Sequence, residues 1–148
     1  MSEFKYSHDV PVRFSDLDLL GHVNHIAFFD VLEQARVTYY HEVMGLQSVH
    51  DVKFVLAELH IRYLASAMFG QTFLIRFRVT WLKRSSSGFA YVIRDQDTDQ
   101  LLAEGDGVQV YMDLEASKAE PLPRAYRERV LAFEGEDLSE PRTNATPS

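Results

Sequence analysis

The run Ser15-Asp16-Leu17-Asp18-Leu19-Leu20-Gly21-His22-Val23-Asn24-His25 gathers carboxylates, imidazoles, an amide and a glycine just ahead of a long apolar segment. Asp18 stands shortly before a helix start, where unpaired backbone N–H groups and the helix dipole favour negative charge developing on a carbonyl oxygen. A preformed electrophilic site of that kind lowers an acyl-transfer barrier by ~3 kcal/mol or more. Gly21 lets backbone and substrate approach closely. The same residues also admit a purely structural reading, an Asp near a helix start stabilising the dipole. Other chemistries lack their residues. There is no G-x-S-x-G elbow and no phosphate-binding loop, and His41-Glu42 opens a zinc-protease pattern that Gly45 ends. Gly105-x-Gly107 has no third glycine and falls inside a strand pattern, so it is no dinucleotide loop.

These residues need a scaffold, and the hydrophobic periodicity supplies one. Val10, Val12 and Phe14 alternate as in a strand, and residues 54–65 follow the same rule with Leu59, Ile61 and Tyr63 on one face. In residues 72–83, Phe73, Ile75, Phe77, Val79 and Trp81 face one way and Arg76, Arg78 and Thr80 the other. Ser85 to Gly88 read as a turn, Phe89, Tyr91 and Ile93 as a strand, Asp95 to Asp99 as a second turn, and residues 101–112 as the last strand. Gly105 and Gly107 mark a bulge or a close backbone approach in that strand. Short turns between consecutive strands require antiparallel pairing.

Residues 25–44 form the long helix, with Asn24 as N-cap and Gly45 at the C′ position. Asp30, Gln34, Thr38 and His41 make a narrow polar strip, and nearly everything else is apolar, so the helix is expected to be almost enclosed. The fold expected is α+β: one long buried helix wrapped by a curved antiparallel sheet of about five strands, with a shorter helix near Arg124 to Phe133. Glu33 and Arg36 fall within the apolar majority. A bare buried carboxylate is costly, so Glu33 is neutral, hydrated at a site, in contact with another subunit or paired with Arg36.

The chain has 148 residues at 17.0 kDa with a net charge of -7 and no cysteine, which excludes disulfides, thiolate metal sites and a cysteine nucleophile. Its size fits one domain, read as residues 1–133, followed by an acidic, flexible tail over residues 134–148. The acidic balance disfavours nucleic acid as a partner, and no apolar run suffices for a membrane span or a secretion signal. A cytoplasmic protein is expected.

The stretch Val12 to Tyr40, VRFSDLDLLGHVNHIAFFDVLEQARVTYY, resembles the hotdog-fold acyl-CoA thioesterases of the 4-hydroxybenzoyl-CoA thioesterase and YbgC-like group, with their D-x-D-x-x-G turn and E-x-A-R helix. The resemblance implies a hotdog fold and hydrolysis of an acyl-CoA, or an acyl-carrier-protein thioester, to a carboxylic acid and free thiol. It implies Asp18 as nucleophile or general base and a thioester oxygen polarised by the backbone N–H of His25. His22 would orient substrate or Asp18, or simply bond within its turn. Asn24 would cap the helix beside the substrate, and Asp16 would be a turn residue. Glu33 keeps a substrate-side option, because a helical Glu acts in another hotdog branch. The resemblance implies no cofactor, although Asp16, Asp18, His22 and His25 could be drawn as a metal cluster, and it implies a homodimer or homotetramer. Arg62, Arg76, Arg78, Lys83 and Arg84 are the cations available to coenzyme A phosphates. A non-catalytic acyl-CoA-binding module is the alternative.

Overall fold

The computed structural model describes residues 4–46, 53–135 and 138. The elements are β1 (Tyr6–Pro11), a 3-10 turn (Phe14–Asp16), α1 (His25–Met44), β2 (Phe54–Tyr63), β3 (Thr72–Leu82), β4 (Ser86–Asp95), β5 (Leu101–Asp113), β6 (Lys118–Ala119) and α2 (Arg124–Glu134). The strands pair antiparallel in the order β1-β3-β4-β5-β2, with the two-residue β6 beside the end of β5. This is the expected α+β hotdog arrangement, with α1 packed against one face of the sheet.

Period-two patterning builds the inner face. Phe73, Ile75, Phe77 and Val79 are fully buried, as are Leu32, Ala35 and Tyr39 of α1. Each buried Val, Leu, Ile or Phe among them contributes ~1.5–3 kcal/mol by leaving water. Asn24 caps α1 by accepting from the Ile26 N–H at 2.8 Å, and Gly45 ends it with φ of 72°. The glycines of β5 make room on this face, since a Cβ at Gly105 would lie 1.9 Å from the His60 carbonyl oxygen and one at Gly107 would lie 2.4 Å from the Phe89 ring.

Four expectations are corrected. β1 ends at Pro11, and Phe14 enters the 3-10 turn with 79% of its surface exposed, because Asp16 pulls the chain round by accepting from the Arg13 backbone N–H at 2.8 Å. Ser86, Ser87 and Gly88 are strand residues, paired with Val110, Gln109 and Val108. Trp81 does not share the face of Val79. A register shift between them pairs Trp81 with Gly88, opposite in facing to Phe89, and a Cβ on Gly88 would sit 2.2 Å from the indole nitrogen. Finally, α1 is not enclosed on every side, for Ile26 is 62% and Phe29 39% exposed.

The boundary between body and tail also differs. Glu134 closes α2 and is buried, and so is Leu138. β1 stops pairing at Tyr6↔Phe77, and beyond it the Val79 N–H donates to Glu134 Oε2 at 3.2 Å and the Leu82 N–H to the Leu138 carbonyl at 2.7 Å. Tyr39 donates its hydroxyl to the same Glu134 oxygen at 2.7 Å, and Lys5 Nζ donates to the Glu134 carbonyl at 2.8 Å. Burial pushes the Glu134 carboxyl up against the pull of these donors. Residues 136–137 and 139–148 lie outside the described residues.

A polar seam crosses the core between α1, the sheet and α2. Arg36 is buried and donates from Nη1 to Gln109 Oε1 at 2.8 Å. Tyr40 donates to the same oxygen, and Gln109 Nε2 donates to Ser87 Oγ at 3.0 Å and Tyr126 Oη at 3.4 Å. Glu33 takes the other edge of the guanidinium, at 2.9 Å from Nη2 and 3.3 Å from Nε. Burial pushes the Tyr126 hydroxyl up to about 12 and Tyr40 well above its ordinary value, so both phenols remain donors.

Candidate active site

The segment between the 3-10 turn and α1 folds back on itself. Leu17 bridges to Val23, the Asp18 N–H donates to the His22 carbonyl at 2.8 Å, and the Gly21 N–H donates to the Asp18 carbonyl at 3.1 Å. Gly21 has φ of 81°, a left-handed conformation that costs other residues ~1–2 kcal/mol. An added Cβ there would meet nothing within 4 Å. Gly21→Ala is therefore expected to lower stability by about that amount through strain alone, read as a shift in denaturant midpoint at constant slope. A shift several times larger would mean the space around Gly21 is filled.

Asp18 belongs to this turn. Its Oδ1 accepts from the Leu20 N–H at 2.8 Å and the His22 N–H at 3.2 Å, a side-chain mimic of a backbone turn. Asp at the head of the turn and Gly at its end are thus accounted for locally. The carboxylate is exposed, and Oδ2 accepts from no described residue. Asp16 is different: it is buried and held by Arg13 Nη2 at 2.7 Å. Burial pushes its carboxyl up, but the Arg13 hydrogen bonds and charge outweigh this and hold it below the usual range.

The turn rests on the loop that follows β2. The Val23 N–H donates to the Ala67 carbonyl at 2.9 Å, and His22 bridges to Met68. The Asn24 N–H donates to the Asp16 carbonyl at 2.8 Å, which fixes where α1 begins. Asn24 then takes up the first N–H groups of the helix: Ile26 on its side chain and Ala27, at 2.9 Å, on its carbonyl. No described residue accepts from the His25 N–H. One donor at the positive end of a 20-residue helix is left available.

His25 lines a cleft of about 330 Å³ together with Val23, Phe28, Tyr63, Leu64, Ala65 and Ser66. Its floor is aromatic, for Phe28 packs edge-on to Phe73 at 5.3 Å and to Tyr63 at 5.5 Å. Of the residues singled out from sequence, His25 lines this cleft; Asn24 caps the helix beside it, and Asp18 and His22 occupy the adjoining turn. The His22 backbone is bonded within that turn, while its ring is exposed. Glu33 sits two turns along α1 on Arg36, in the paired arrangement, outside the cleft lining. Phe28 and Tyr63, which the aromatic content of the sequence already offers as walls of an acyl pocket, do line the cleft; the 64–66 segment escaped sequence reasoning, because nothing in a strand's end marks it as a cleft wall until the turn packs against it. Among the described residues no three His, Asp or Glu side chains converge as a metal-binding group. Of the candidate coenzyme A cations, Arg62 pairs with Glu104 at 3.1 Å and Lys83 lies 5.5 Å from the Trp81 ring centroid.

Comparison with known proteins bears on what the cleft does. The model of the thioesterase-like superfamily matches residues 12–130. The chain is 27% identical over 123 residues to the long-chain acyl-CoA thioesterase FadM of Escherichia coli (strain K12), covering 82% of this chain and 93% of that one. Among solved structures it is similar to a thioesterase complexed with coenzyme A and Zn from Thermus thermophilus, at 33% identity and a TM-score of 0.81, covering 92% of this chain and 99% of that one. A 1,4-dihydroxy-2-naphthoyl-CoA thioesterase from Synechocystis shares the fold, at 23% identity and a TM-score of 0.74 over 84% of this chain and 94% of its own.

Proposed function

The chain belongs to the thioesterase-like superfamily and is a thioester hydrolase, and from that premise we propose that it cleaves acyl-CoA to a carboxylic acid and coenzyme A at the α1 cleft, with Asp18 as its acid. The observation that carries this reading is the unclaimed N–H of His25, a residue of the cleft wall. A thioester carbonyl accepting from that N–H would also lie in the positive field of α1, which stabilises the tetrahedral oxyanion more than the planar ground state. Asp18 supplies the other half of the chemistry. With Oδ1 tied to the turn, Oδ2 is the oxygen that attacks the carbonyl, or that takes a proton from an attacking water. If Oδ2 attacks, the thiolate leaves an acyl-Asp18 anhydride that water then hydrolyses to the carboxylic acid and free Asp18; if water attacks, the thiolate leaves with the acid already formed, and in both cases the thiolate takes up a proton. Asn24 keeps the helix start in place. His22, exposed on the same turn, orients the substrate, and Glu33 acts at a distance by holding Arg36.

The substrate class follows from coenzyme A and acyl-CoA in the names of the relatives. A panel of aliphatic and aromatic acyl-CoA and acyl-carrier-protein thioesters, followed by thiol release, is expected to give saturable turnover with acyl-CoA. Tight acyl-CoA binding with no thiol released from any member would replace the enzyme reading with that of a binding module.

The active unit is proposed to be a homodimer or homotetramer. β2 is one of the two outer strands of the sheet and pairs only with β5 among the described strands, and Ile26, Phe29, Val55, Met68 and Phe69 are exposed apolar side chains. A second copy would cover this edge and these side chains. Light scattering is expected to give two or four times 17.0 kDa; a monomer mass at micromolar concentration would remove the proposal.

A further inference from the structure

The first helical peptide of α1 is gripped at both ends. Its N–H, that of Ile26, donates to Asn24 Oδ1 at 2.8 Å. Its carbonyl, that of His25, accepts from the Tyr63 hydroxyl at 3.4 Å. The neighbouring peptide, Asn24–His25, carries the unclaimed N–H and accepts the Ala27 N–H on its carbonyl at 2.9 Å, and the two grips on the next peptide hold the other side of His25, so the three together fix the direction in which that N–H points. Asn24 is an ordinary cap and would be present at many helix starts. Tyr63 is not: it comes from the last residue of β2, across the cleft.

Tyr63 is suited to this by its position. Its register partner is Ala103, which places it on the inner face with Ile61 and Leu59, opposite Gly105 and Gly107. The ring lies edge-on to His25 at 6.1 Å and to Phe28 at 5.5 Å, and it forms part of the cleft wall while remaining 47% exposed. A half-exposed phenol needs no protein partner, since water would serve. Its hydroxyl is nevertheless directed at the carbonyl of a peptide that adjoins the free donor. At 3.4 Å the bond is long for O–H···O. Burial pushes the phenol up, so it stays a donor throughout the neutral range.

We propose that Tyr63 is a positioning residue for thioester hydrolysis, holding the His25–Ile26 peptide so that the His25 N–H faces the substrate carbonyl, with its ring forming the wall against which the acyl group lies. The inference rests on the function proposed above. Removing only the hydroxyl isolates the grip, and removing the ring isolates the wall. Tyr63→Phe is expected to lower kcat about five- to tenfold, the size of one ordinary hydrogen bond. KM should stay within about twofold and the deficit should be independent of pH between about 6 and 9, since the phenol does not titrate there. Tyr63→Leu is expected to raise KM for acyl-CoA in addition, while inhibition by free coenzyme A, which has no acyl group, is unchanged. Amide hydrogen exchange at Ile26 in the full chain provides a measurement that needs no turnover, and it is expected to quicken in Tyr63→Phe. Unchanged kcat with unchanged Ile26 exchange in Tyr63→Phe overturns the positioning role. If the wild-type protein turns over no thioester, the hydrolytic role of Tyr63 falls with the function it rests on, whereas faster Ile26 exchange in the variant would still establish the grip.

Discussion

Asp18→Asn is expected to reduce kcat by about 10²- to 10⁴-fold, the range for loss of a positioned acid or base, while thermal stability stays nearly constant. The separation is possible because the two roles of Asp18 use different oxygens. An asparagine keeps an Oδ1 that accepts from the Leu20 and His22 N–H groups, so the turn closes as before. It replaces Oδ2, which accepts from no described residue, with an amide that neither attacks nor takes a proton. Asp18→Ala removes both roles and should lose activity together with roughly 1 kcal/mol of stability, the scale of one local side-chain-to-backbone bond. Steady-state thiol release and a melting curve on the same samples decide the matter. Wild-type kcat in Asp18→Asn would leave Asp18 as a turn residue and move the search for the acid elsewhere.

The second large effect concerns stability. Gln109→Leu keeps the volume of the side chain but strands its partners: Arg36 Nη1 loses its 2.8 Å acceptor, Tyr40 loses one acceptor, and Ser87 and Tyr126 lose a donor. A buried guanidinium left short of an acceptor, together with further unsatisfied hydroxyls, costs about 3–5 kcal/mol. For a domain of this size that lowers Tm by roughly 10–15 °C. The paired change Arg36→Met with Gln109→Leu should recover part of the loss, since it removes the buried guanidinium and the only charge left unpaired is Glu33, whose side chain is 29% exposed to water. A shift under about 3 °C for the single variant would show the seam to be solvated rather than sealed.

The sheet was legible where patterning is local. Phe73 to Val79 alternate because one face of β3 is buried, and that alternation is visible without any structure. Trp81 continues the same parity in sequence, yet the register shift before it turns it to the other face. A bulge of that kind depends on the partner strand, so no pattern within β3 announces it. Ser86, Ser87 and Gly88 look like a turn because they are small and polar. They are small because Trp81 fills the space over Gly88 and because the Ser87 hydroxyl meets Gln109 and Tyr126, contacts made by residues far away in sequence.

The site divides in the same way. The turn, its glycine, the Asn24 cap and the Glu33–Arg36 pair all lie within a few residues of one another, and each could be read as residue types at a spacing. The rest of the cleft could not, because Leu64 to Ser66 face His25 only through the packing of the β2 end on α1. Glu134 reads in sequence as part of a solvated tail because it sits among acids and prolines. Its burial follows from the shortness of β1, which leaves β3 donors that the end of α2 satisfies.

That substitution of late residues for an early strand has a consequence for how the chain matures on the ribosome. The mate of the first strand, β3, is complete at Leu82, but the rest of that margin has no partner until Glu134 and Leu138 are made. Until then Val79 and Leu82 offer bare amides beside a finished apolar face, an invitation to pair with another nascent chain. The interval between those two events is the period in which a companion holdase would matter most.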